Sequence, residues 1–516
     1  MSSDGGRLPG RPVLLLGLDG LGFPFLNSPL VSECAPNLRA LLARSAVGPL
    51  ASTFPPYTGP AWTSITTGVN PGRHGVFGFT DAAGRPVSDA TVSAARIWDY
   101  VGQVGGRSVV INVPITYPPR PIEGVLVSGM PTPPNTPFCW PPELASDIEQ
   151  LDYVIDVAVQ EGSPEKANTL DRLRRMTEAR GQAAARLARR EPWDLFAVVF
   201  VLPDRLGHPW WKHLVPGHHL YKTRRAARLR SAAAEALRAL DHAIADLLST
   251  MPPATAVVLC SDHGFGPLRA DLFFDVALVR AGIHEGARHG PARQALAALG
   301  RSPLATLAPQ WLYEWARSVA SRSGSRSDSS GLRRAWTAPP YESGVRLAEH
   351  DDHELRAVVT DLLVGLRGPD GAQLLRAVTP REELYSGPYI AEAPDLLCEM
   401  ADESIDLHDG LHATQPWVSR DSLAWGTHTA EGVIAISGVE AGTQLHGQAP
   451  DVAATVLDLL GINVADLDGR SLVDTNSTAR RVAASRSLPD REAGDVYSQE
   501  EEAAVMEHLR SLGYVD

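Results

Sequence analysis

The sequence predicts an α/β protein with a largely parallel sheet between helical layers and an inserted cap region. Short apolar runs bounded by turn residues recur along the chain, and helical patterns lie between several of them. Polar clusters follow the ends of these runs. Strands that alternate with helices indicate a parallel sheet covered on both faces. The 516 residues suffice for one large domain with an insertion, or for two domains.

Six apolar runs have the length and the turn-forming flanks of buried strands. They are Val13–Leu18, Ser108–Val113, Gly124–Val127, Leu195–Val201, Ala256–Leu259 and Gly432–Ile436. Four segments have helical periodicity: Pro36–Arg44, Ala94–Val104, Ala167–Arg189 and Ala226–Leu248. Ligands bind at the carboxyl ends of strands in open α/β sheets, so residues that follow these runs are the first candidates for a site.

The composition, 44% hydrophobic and 21% charged, is that of an ordinary folded protein. A formal charge of −13 argues against a nucleic-acid-binding surface, which needs clustered Lys and Arg. It allows a small phosphorylated substrate, because bound divalent cations reverse the local field. The four cysteines lie far apart without a CxxC pair, which argues against a disulfide framework or a thiolate zinc site.

The N-terminal apolar run Val13–Leu18 is short and leads directly into Asp19-Gly20, so we interpret it as a strand and not as a signal peptide. No stretch of the sequence is long and apolar enough to span a membrane. We therefore expect a cytoplasmic enzyme. The oligomeric state is left open.

The domain organisation follows from where the strand–helix rhythm breaks. We assign residues 10–266 and 346–475 to the α/β core and 267–345 to an inserted cap or substrate region. The insertion combines an Ala- and Leu-rich helical stretch with a flexible loop, Ser318–Asp328, rich in Ser, Arg and Gly. Residues 476–516 form a polar linker and a C-terminal helix, Glu500–Leu512.

Two of the predicted strands lead directly into carboxylates. Asp19 follows Val13–Leu18, and Asp262-His263 follows Ala256–Leu259. Past the end of a strand, an adjacent Asp and His can both turn onto one ion, and Asp19 at a neighbouring strand end would complete a binuclear site. The alternative is that Asp19 and Asp262 only cap turns.

A third strand, Leu195–Val201, leads into Asp204 and His208. An Asp and a His four residues apart lie on one face of a helical turn and can hold one metal together. The alternative is a surface ion pair. His428 precedes the strand Gly432–Ile436 and adds an imidazole. Its interpretation as a metal ligand depends on the other Asp and His candidates, because a single histidine is usually structural.

Thr58 is the candidate nucleophile. In Thr58-Gly-Pro60 a hydroxyl residue stands at the cap of a predicted helix, with proline in the first turn. The first-turn N–H groups and the helix dipole favour a phosphate at that position. The alternative is that Thr58 is only a helix cap.

Together the set offers three carboxylates and three imidazoles: Asp19, Asp204, Asp262, His208, His263 and His428. This mixture suits two divalent metal ions, with zinc as the first choice and manganese or iron as alternatives. One ion would lower the pKa of the Thr58 hydroxyl, and the other would stabilise the leaving oxygen.

With these motifs, the chain resembles the alkaline phosphatase superfamily and, within it, the type I phosphodiesterase/nucleotide pyrophosphatase family, from Val13 to about Val473. The resemblance implies an alkaline-phosphatase-like fold and a small-molecule phosphate ester as substrate. It also implies one ion held by Asp204, His208 and His428 and a second held by Asp19, Thr58, Asp262 and His263.

Thr53-Phe54-Pro55 offers a rival nucleophile, because it looks like the Thr-Phe-Pro of this family. The family's nucleophile, however, stands nine positions before the threonine of a Thr-Gly pair, here Thr67-Gly68. Thr58 has that spacing and Thr53 does not, so we predict that Thr58 is the nucleophile.

One departure from the family concerns the substrate. Ala61 stands where nucleotide pyrophosphatases carry an Asn that binds the phosphate. We therefore expect cleavage of a phosphodiester or pyrophosphate through a phosphothreonine, and the identity of the leaving group stays open. We expect residues 267–345 and the loop Met130–Trp140 to recognise the leaving group. The alternatives are a phosphomonoesterase or phosphonate hydrolase, for which Arg73 and Arg205 are the candidate extra arginines, and an inactive binding homologue.

Overall fold

The computed structural model describes residues 8–157, 159, 168–283, 334–338, 343–408, 415–473, 480–482 and 496–512. The chain divides into two compact units. One comprises Met1–Leu268, Tyr385–Ala393 and Leu423–Asp516, and the other comprises Arg269–Leu384 and Pro394–Ser422. All of the predicted site residues belong to the first unit.

The first unit is built on a nine-stranded sheet in the order β18-β2-β17-β7-β1-β6-β3-β4-β5. The strands from β7 to β4 in this order are parallel, and β17 and β5 pair antiparallel to their neighbours. The bounds are β1 Val13–Leu18, β2 Ser45–Ala51, β3 Ser108–Ile111, β4 Gly124–Val127, β5 Cys139–Trp140, β6 Leu195–Phe200, β7 Ala256–Cys260, β17 Glu431–Ser437 and β18 Gly447–Gln448. The predicted α/β fold with a largely parallel sheet is confirmed.

Strand β1 lies at the centre of this sheet. It pairs in parallel with β6 through Leu18↔Phe200 and with β7 through Gly17↔Cys260. All six of its residues are buried, as expected for a strand covered on both faces. Three carboxyl ends therefore meet side by side at one edge of the sheet.

Several helices of the first unit pack against the strands of this sheet. Their bounds are α1 Phe23–Leu26, α2 Pro29–Cys34, α3 Pro36–Ala43, α4 Thr58–Thr67, α5 Pro71–His74, α6 Ile97–Gln103, α7 Ala145–Glu149, α8 Thr169–Arg190, α9 Leu202–Leu214, α10 Arg224–Thr250, α14 Ala449–Leu459 and α15 Gln499–Leu512. Helices α8 and α10 pack along each other, and α4 packs against α14. None of the helices in the described ranges is long and apolar enough to cross a bilayer.

Two smaller pairings complete the first unit. Strands β8 (Gly264–Pro267) and β16 (Gly426–Thr429) pair antiparallel, with His428 opposite Phe265. Strands β19 (Ile462–Val464) and β20 (Arg480–Val482) pair in parallel.

The second unit has its own sheets and core. One sheet has the order β10-β11-β13-β12 and the other β14-β9-β15. The bounds are β9 Ala270–Phe273, β10 Ala335–Thr337, β11 Gly344–Leu347, β12 Leu375–Pro380, β13 Leu396–Met400, β14 Ile405–His408, β15 Trp417–Ser419, α11 Phe274–Arg280, α12 His353–Val364 and α13 Arg381–Leu384. Leu272, Val345 and Leu396 are among the buried residues of its core.

The sequence assigns residues 346–475 to the core, whereas the second compact unit retains most residues up to Ser422. The reason lies in strand pairing, because β11, which spans the assigned boundary, pairs with β13, and β13 pairs with β12. The predicted loop Ser318–Asp328 and most of the insertion lie outside the described residues, as does most of the polar linker.

Candidate metal centre

The candidate site lies where β1, β6 and β7 end. Asp19 is the first residue after β1. Asp204 is the third residue of α9, the helix that follows β6. The Asp204 N–H donates to the Asp19 carbonyl oxygen at 3.0 Å. Asp262 and His263 occupy the short connection between β7 and β8. The parallel register of the three strands therefore brings these side chains together.

The first group, here called the Asp204 cluster, consists of Asp204, His208 and His428. The Nε2 atoms of the two histidines are 3.1 Å apart, and each lies 3.4 Å from Asp204 Oδ1. Ligand atoms about 2.0–2.2 Å from a tetrahedral zinc ion lie roughly 3.3–3.6 Å from one another. The three atoms of this cluster are therefore spaced as ligands of one ion.

The second group, the Asp19 cluster, surrounds His263. Its Nε2 lies 3.2 Å from Thr58 Oγ1, 3.3 Å from Asp262 Oδ2 and 3.6 Å from Asp19 Oδ1. All four side chains are 0–1% exposed. The two clusters adjoin, since the rings of His263 and His428 have centroids 3.9 Å apart.

Each of the three carboxylates has one oxygen held by a protein donor and turns the other into the site. Trp62 Nε1 donates to Asp19 Oδ2 at 3.0 Å, the Gly20 N–H donates to Asp262 Oδ1 at 3.2 Å, and Arg205 Nη1 donates to Asp204 Oδ2. Asp19 Oδ1 and Asp262 Oδ2 are buried and accept no hydrogen bond from the residues described. Buried oxygens without donors are costly, so this arrangement fits a bound cation.

The histidines have the orientation that metal ligation requires. His263 Nδ1 lies 3.0 Å from the Gly264 carbonyl oxygen, which assigns the proton to Nδ1 and leaves the Nε2 lone pair facing the cluster. The ring of Phe265 meets those of His208 and His428 edge to face, with centroids 4.9 and 5.2 Å away. Phe265 therefore fixes the planes of both imidazoles.

The electrostatics of the two clusters indicate a deficit of positive charge among the protein side chains. Burial raises the pKa of Asp19 well above its usual value, and the charges of Asp262 and Asp204 raise it further. Burial likewise raises the pKa of Asp262. Burial lowers the pKa of His263 and of His428, so these imidazoles stay neutral and keep their lone pairs. A divalent cation would relieve the repulsion among the carboxylates.

Thr58 is the first residue of α4, and Tyr57, with φ −119° and ψ 149°, occupies the cap position. The sequence placed Thr58 at the cap, which is wrong by one residue. The extended backbone of Tyr57 starts the helix one residue earlier, and the Thr58 hydroxyl faces His263 instead. The rival Thr53 lies in the preceding loop, where its hydroxyl donates to the Pro55 carbonyl oxygen at 3.1 Å.

All seven predicted site residues thus lie in the two adjoining clusters. Sequence reasoning did not find the partner that holds Asp19, Trp62. Trp62 stands four residues after Thr58, and the i, i+4 spacing on α4 could have placed it beside the site.

The two candidate arginines are both engaged in ion pairs with aspartates. Arg205 binds Asp204 and Asp156, while Arg73 pairs with Asp466 and Asp468. The loop Met130–Trp140, expected to read the leaving group, lines a cavity of about 960 Å³ together with Tyr153, Asp156 and His508.

The sequence profile of the type I phosphodiesterase/nucleotide pyrophosphatase family matches residues 13–427. The chain belongs to this family of hydrolytic enzymes. The resemblance predicted from the motifs is confirmed.

Two solved structures of one protein share the fold, and a third solved structure also matches the chain. Phosphonoacetate hydrolase from Sinorhizobium meliloti 1021 in complex with phosphonoformate is 16% identical, with a TM-score of 0.53 over 89% of this chain and 98% of that chain. Its complex with phosphonoacetate is 15% identical, with a TM-score of 0.51 over the same shares. Murine ectonucleotide pyrophosphatase/phosphodiesterase 5 is 13% identical, with a TM-score of 0.46 over 91% and 98%. The comparison with curated proteins gives no significant match.

Proposed function

We propose that the protein is a two-metal hydrolase that cleaves phosphodiesters or pyrophosphates through a covalent phosphothreonine at Thr58. The observation that carries the proposal is the Thr58 hydroxyl, 3.2 Å from His263 Nε2, beside carboxylate oxygens that turn into the same space. Membership in a phosphodiesterase family supports phosphoester cleavage.

The ligand assignment follows the two clusters. Asp204, His208 and His428 would hold one ion, and Asp19, Thr58, Asp262 and His263 would hold the second. Three imidazoles and three carboxylates favour zinc, with manganese or iron as alternatives. When bound, the two ions supply the positive charge that lowers the pKa of the Thr58 hydroxyl and stabilises the leaving oxygen.

The reaction consists of two displacements. Thr58 Oγ1 bonds to phosphorus as the bond from phosphorus to the leaving oxygen breaks; the hydroxyl proton passes to solvent and the leaving oxygen gains one. Water then bonds to phosphorus as the Thr58 Oγ1–phosphorus bond breaks, which restores the hydroxyl and releases the phosphate product.

The protein positions the reacting groups in both steps. Thr58 is the first residue of the ten-residue helix α4, so the first-turn N–H groups and the helix dipole favour the transferred phosphoryl group. The Thr58 side chain is fully buried, so bulk solvent has little access to its hydroxyl.

The nucleophile is tested by comparing two threonine variants. Thr58→Ala should lose turnover on the order of 10³-fold or more, because it removes the hydroxyl that lies 3.2 Å from His263 Nε2. The matched control Thr53→Ala removes only a loop hydrogen bond and should retain turnover. Loss of turnover in Thr53→Ala with activity kept in Thr58→Ala would refute the assignment.

The substrate class is tested with a nitrophenyl phosphodiester, the corresponding monoester and phosphonoacetate. We expect the diester to be cleaved fastest, because Arg73 and Arg205, the candidates for binding a dianion, are held in ion pairs. Faster cleavage of the monoester or of phosphonoacetate would favour the phosphomonoesterase or phosphonate hydrolase that the sequence leaves as alternatives.

Metal analysis tests whether the protein is instead an inactive homologue. We expect about two zinc or manganese ions per chain; metal-free protein that takes up no ion would count against both clusters. A small-molecule substrate and a cytoplasmic location remain predictions from the sequence.

A further inference from the structure

A buried ion pair connects the Asp204 cluster to the C-terminal helix. Arg205 Nε and Nη2 donate to Asp156 Oδ1 and Oδ2 at 3.0 and 2.7 Å, and Nη1 donates to Asp204 Oδ2. The side chains of Asp156, Arg205 and Asp204 are 2, 2 and 0% exposed. One guanidinium thus serves two buried carboxylates.

The two-point contact with Asp156 determines where the guanidinium points. Side chains of adjacent residues on a helix leave in different directions, so Arg205 reaches Asp204 only by folding back on itself. A bidentate pair fixes the plane of an arginine, and the Met130 sulfur lies 3.2 Å from Nη2 on the same side. With two of its nitrogens held, the third aims at Asp204 Oδ2.

The C-terminal helix α15 lies beside Asp156. His508 Nε2 lies 3.7 Å from Asp156 Oδ2, and Val505 and Leu509 on the same helix are buried. The chain of contacts therefore runs from α15 through Asp156 and Arg205 to the carboxylate that faces His208 and His428.

We propose that Arg205, held by Asp156, is a positioning residue that keeps Asp204 Oδ1 turned into its cluster and so sets the affinity for that one ion. The proposal rests on the proposed function, since it needs an ion at the Asp204 cluster. Donors behind a ligating carboxylate orient it, and their loss commonly weakens metal binding. The Asp19 cluster has its own donors, Trp62 and Gly20, so the loss of Arg205 should affect an ion bound there much less.

The test is zinc binding by the full-length chain, measured by competition with a chromophoric chelator that resolves two dissociation constants. Arg205→Met should weaken one of them about 10- to 100-fold and leave the other unchanged. Arg205→Lys should fall between wild type and Arg205→Met, because a single ammonium cannot form the fork with Asp156 while it binds Asp204. The matched control is Arg174→Met, which removes a partly exposed arginine that pairs with two acidic residues on α8.

Asp156→Asn keeps the shape of the partner and removes its charge. It provides a second variant if Arg205→Met does not fold, and it should weaken the same single dissociation constant. Two unchanged constants in a folded variant, or an equal weakening of both, would overturn the proposal, since a merely structural role would not distinguish the ions. Failure of wild-type protein to bind zinc would instead overturn the proposed function.

Discussion

At the scale of single residues, His74 shows a buried imidazole that serves structure. It is fully buried; its Nε2 lies 2.9 Å from Ser64 Oγ and its Nδ1 accepts from the Val76 N–H at 3.2 Å. Since Nδ1 accepts, Nε2 carries the proton and donates to Ser64. Burial, assisted by the charge of Arg96, lowers the pKa of His74 well below its usual value.

This shift predicts part of the acid sensitivity of the fold. Below about pH 6.5 His74 is protonated in the unfolded chain and not in the folded chain. The free energy of unfolding therefore decreases as the pH is lowered, by up to about 1.4 kcal/mol per pH unit. The loss continues from pH 6.5 down to the lowered pKa of the folded state. His74→Gln should remove this contribution to the slope, as measured by denaturant unfolding between pH 7 and pH 5.

The matched control is His219→Gln, which changes an exposed histidine. The prediction concerns the slope and not the absolute stability, which the loss of a buried ring lowers in its own right. A slope in His74→Gln equal to that of wild type would contradict it.

Sequence reasoning finds side chains whose position follows from a strand end, and it misses those whose role depends on direction. Asp19 and Asp262 follow apolar runs, so their meeting at one sheet edge is predictable. Arg205 is adjacent to Asp204 in sequence, but adjacency alone does not indicate that their side chains are in contact. The direction of the Arg205 guanidinium depends on its pairing with Asp156, which is far away in the chain.

At the scale of elements, the Asp204 cluster depends on close packing between α9 and the strand pair β8/β16. A Cβ atom on Gly207 would lie 2.7 Å from the Phe265 ring, and one on Gly426 would lie 2.8 Å from the Gly207 carbonyl oxygen. Only glycine allows this approach, which brings His208 on α9 within reach of His428 on β16.

Gly207→Ala should therefore separate α9 from the strand pair. Overpacking of this kind costs about 1–3 kcal/mol, and the displaced His208 should bind its ion more weakly. Chemical unfolding and the zinc competition measurement check both effects.

Gly102→Ala on α6 is the matched control, because its Cβ atom would meet only the flexible side chain of Glu123, at 3.3 Å. A Gly207→Ala variant as stable as the control, with unchanged zinc affinity, would show that the packing has no such role.

Element prediction from the sequence works best for fully buried strands. The run Val13–Leu18 matches β1 at both ends, and the helix expected at Ala226–Leu248 is α10, Arg224–Thr250. Strand β2 was missed because Ser45, Gly48 and Pro49 interrupt its apolar pattern, and it owes its place to antiparallel pairing with β17. Such long-range pairing overrides local preference.

At the scale of the whole molecule, the first unit gathers segments from both ends of the sequence around one sheet. Strand β17 pairs with both β2 and β7, and β18 pairs with β2, although the 170 residues 261–430 lie between β7 and β17. The sequence predicts the sheet and the site, whereas the extent of the second unit depends on pairings among β11, β12 and β13 that no local pattern reveals.

Metal removal should destabilise the first unit. Without a cation, Asp19 and Asp262 have raised pKa values in the folded state, so they lower stability as pH rises through the range between their usual and raised values. Zinc at 100 times its dissociation constant should restore about 2.7 kcal/mol. Thermal unfolding at neutral pH, with chelator and then with excess zinc, measures the difference.

The ligand variant His263→Ala should respond less to chelator than wild type does. Identical midpoints for chelated and zinc-loaded wild-type protein would contradict this prediction.

The uneven exposure of the ligands has a consequence for how quickly the two ions exchange. His208 is 24% exposed, whereas Thr58, Asp19, Asp262 and His263 are at most 1% exposed. An ion held by the Asp204 cluster, the outer ion, would therefore be accessible to a chelator on the side of His208, and an ion held by the Asp19 cluster, the inner ion, would be accessible only when the chain opens. The outer ion should be labile and the inner one inert, so the protein would pass through a half-loaded state whenever metal is scarce.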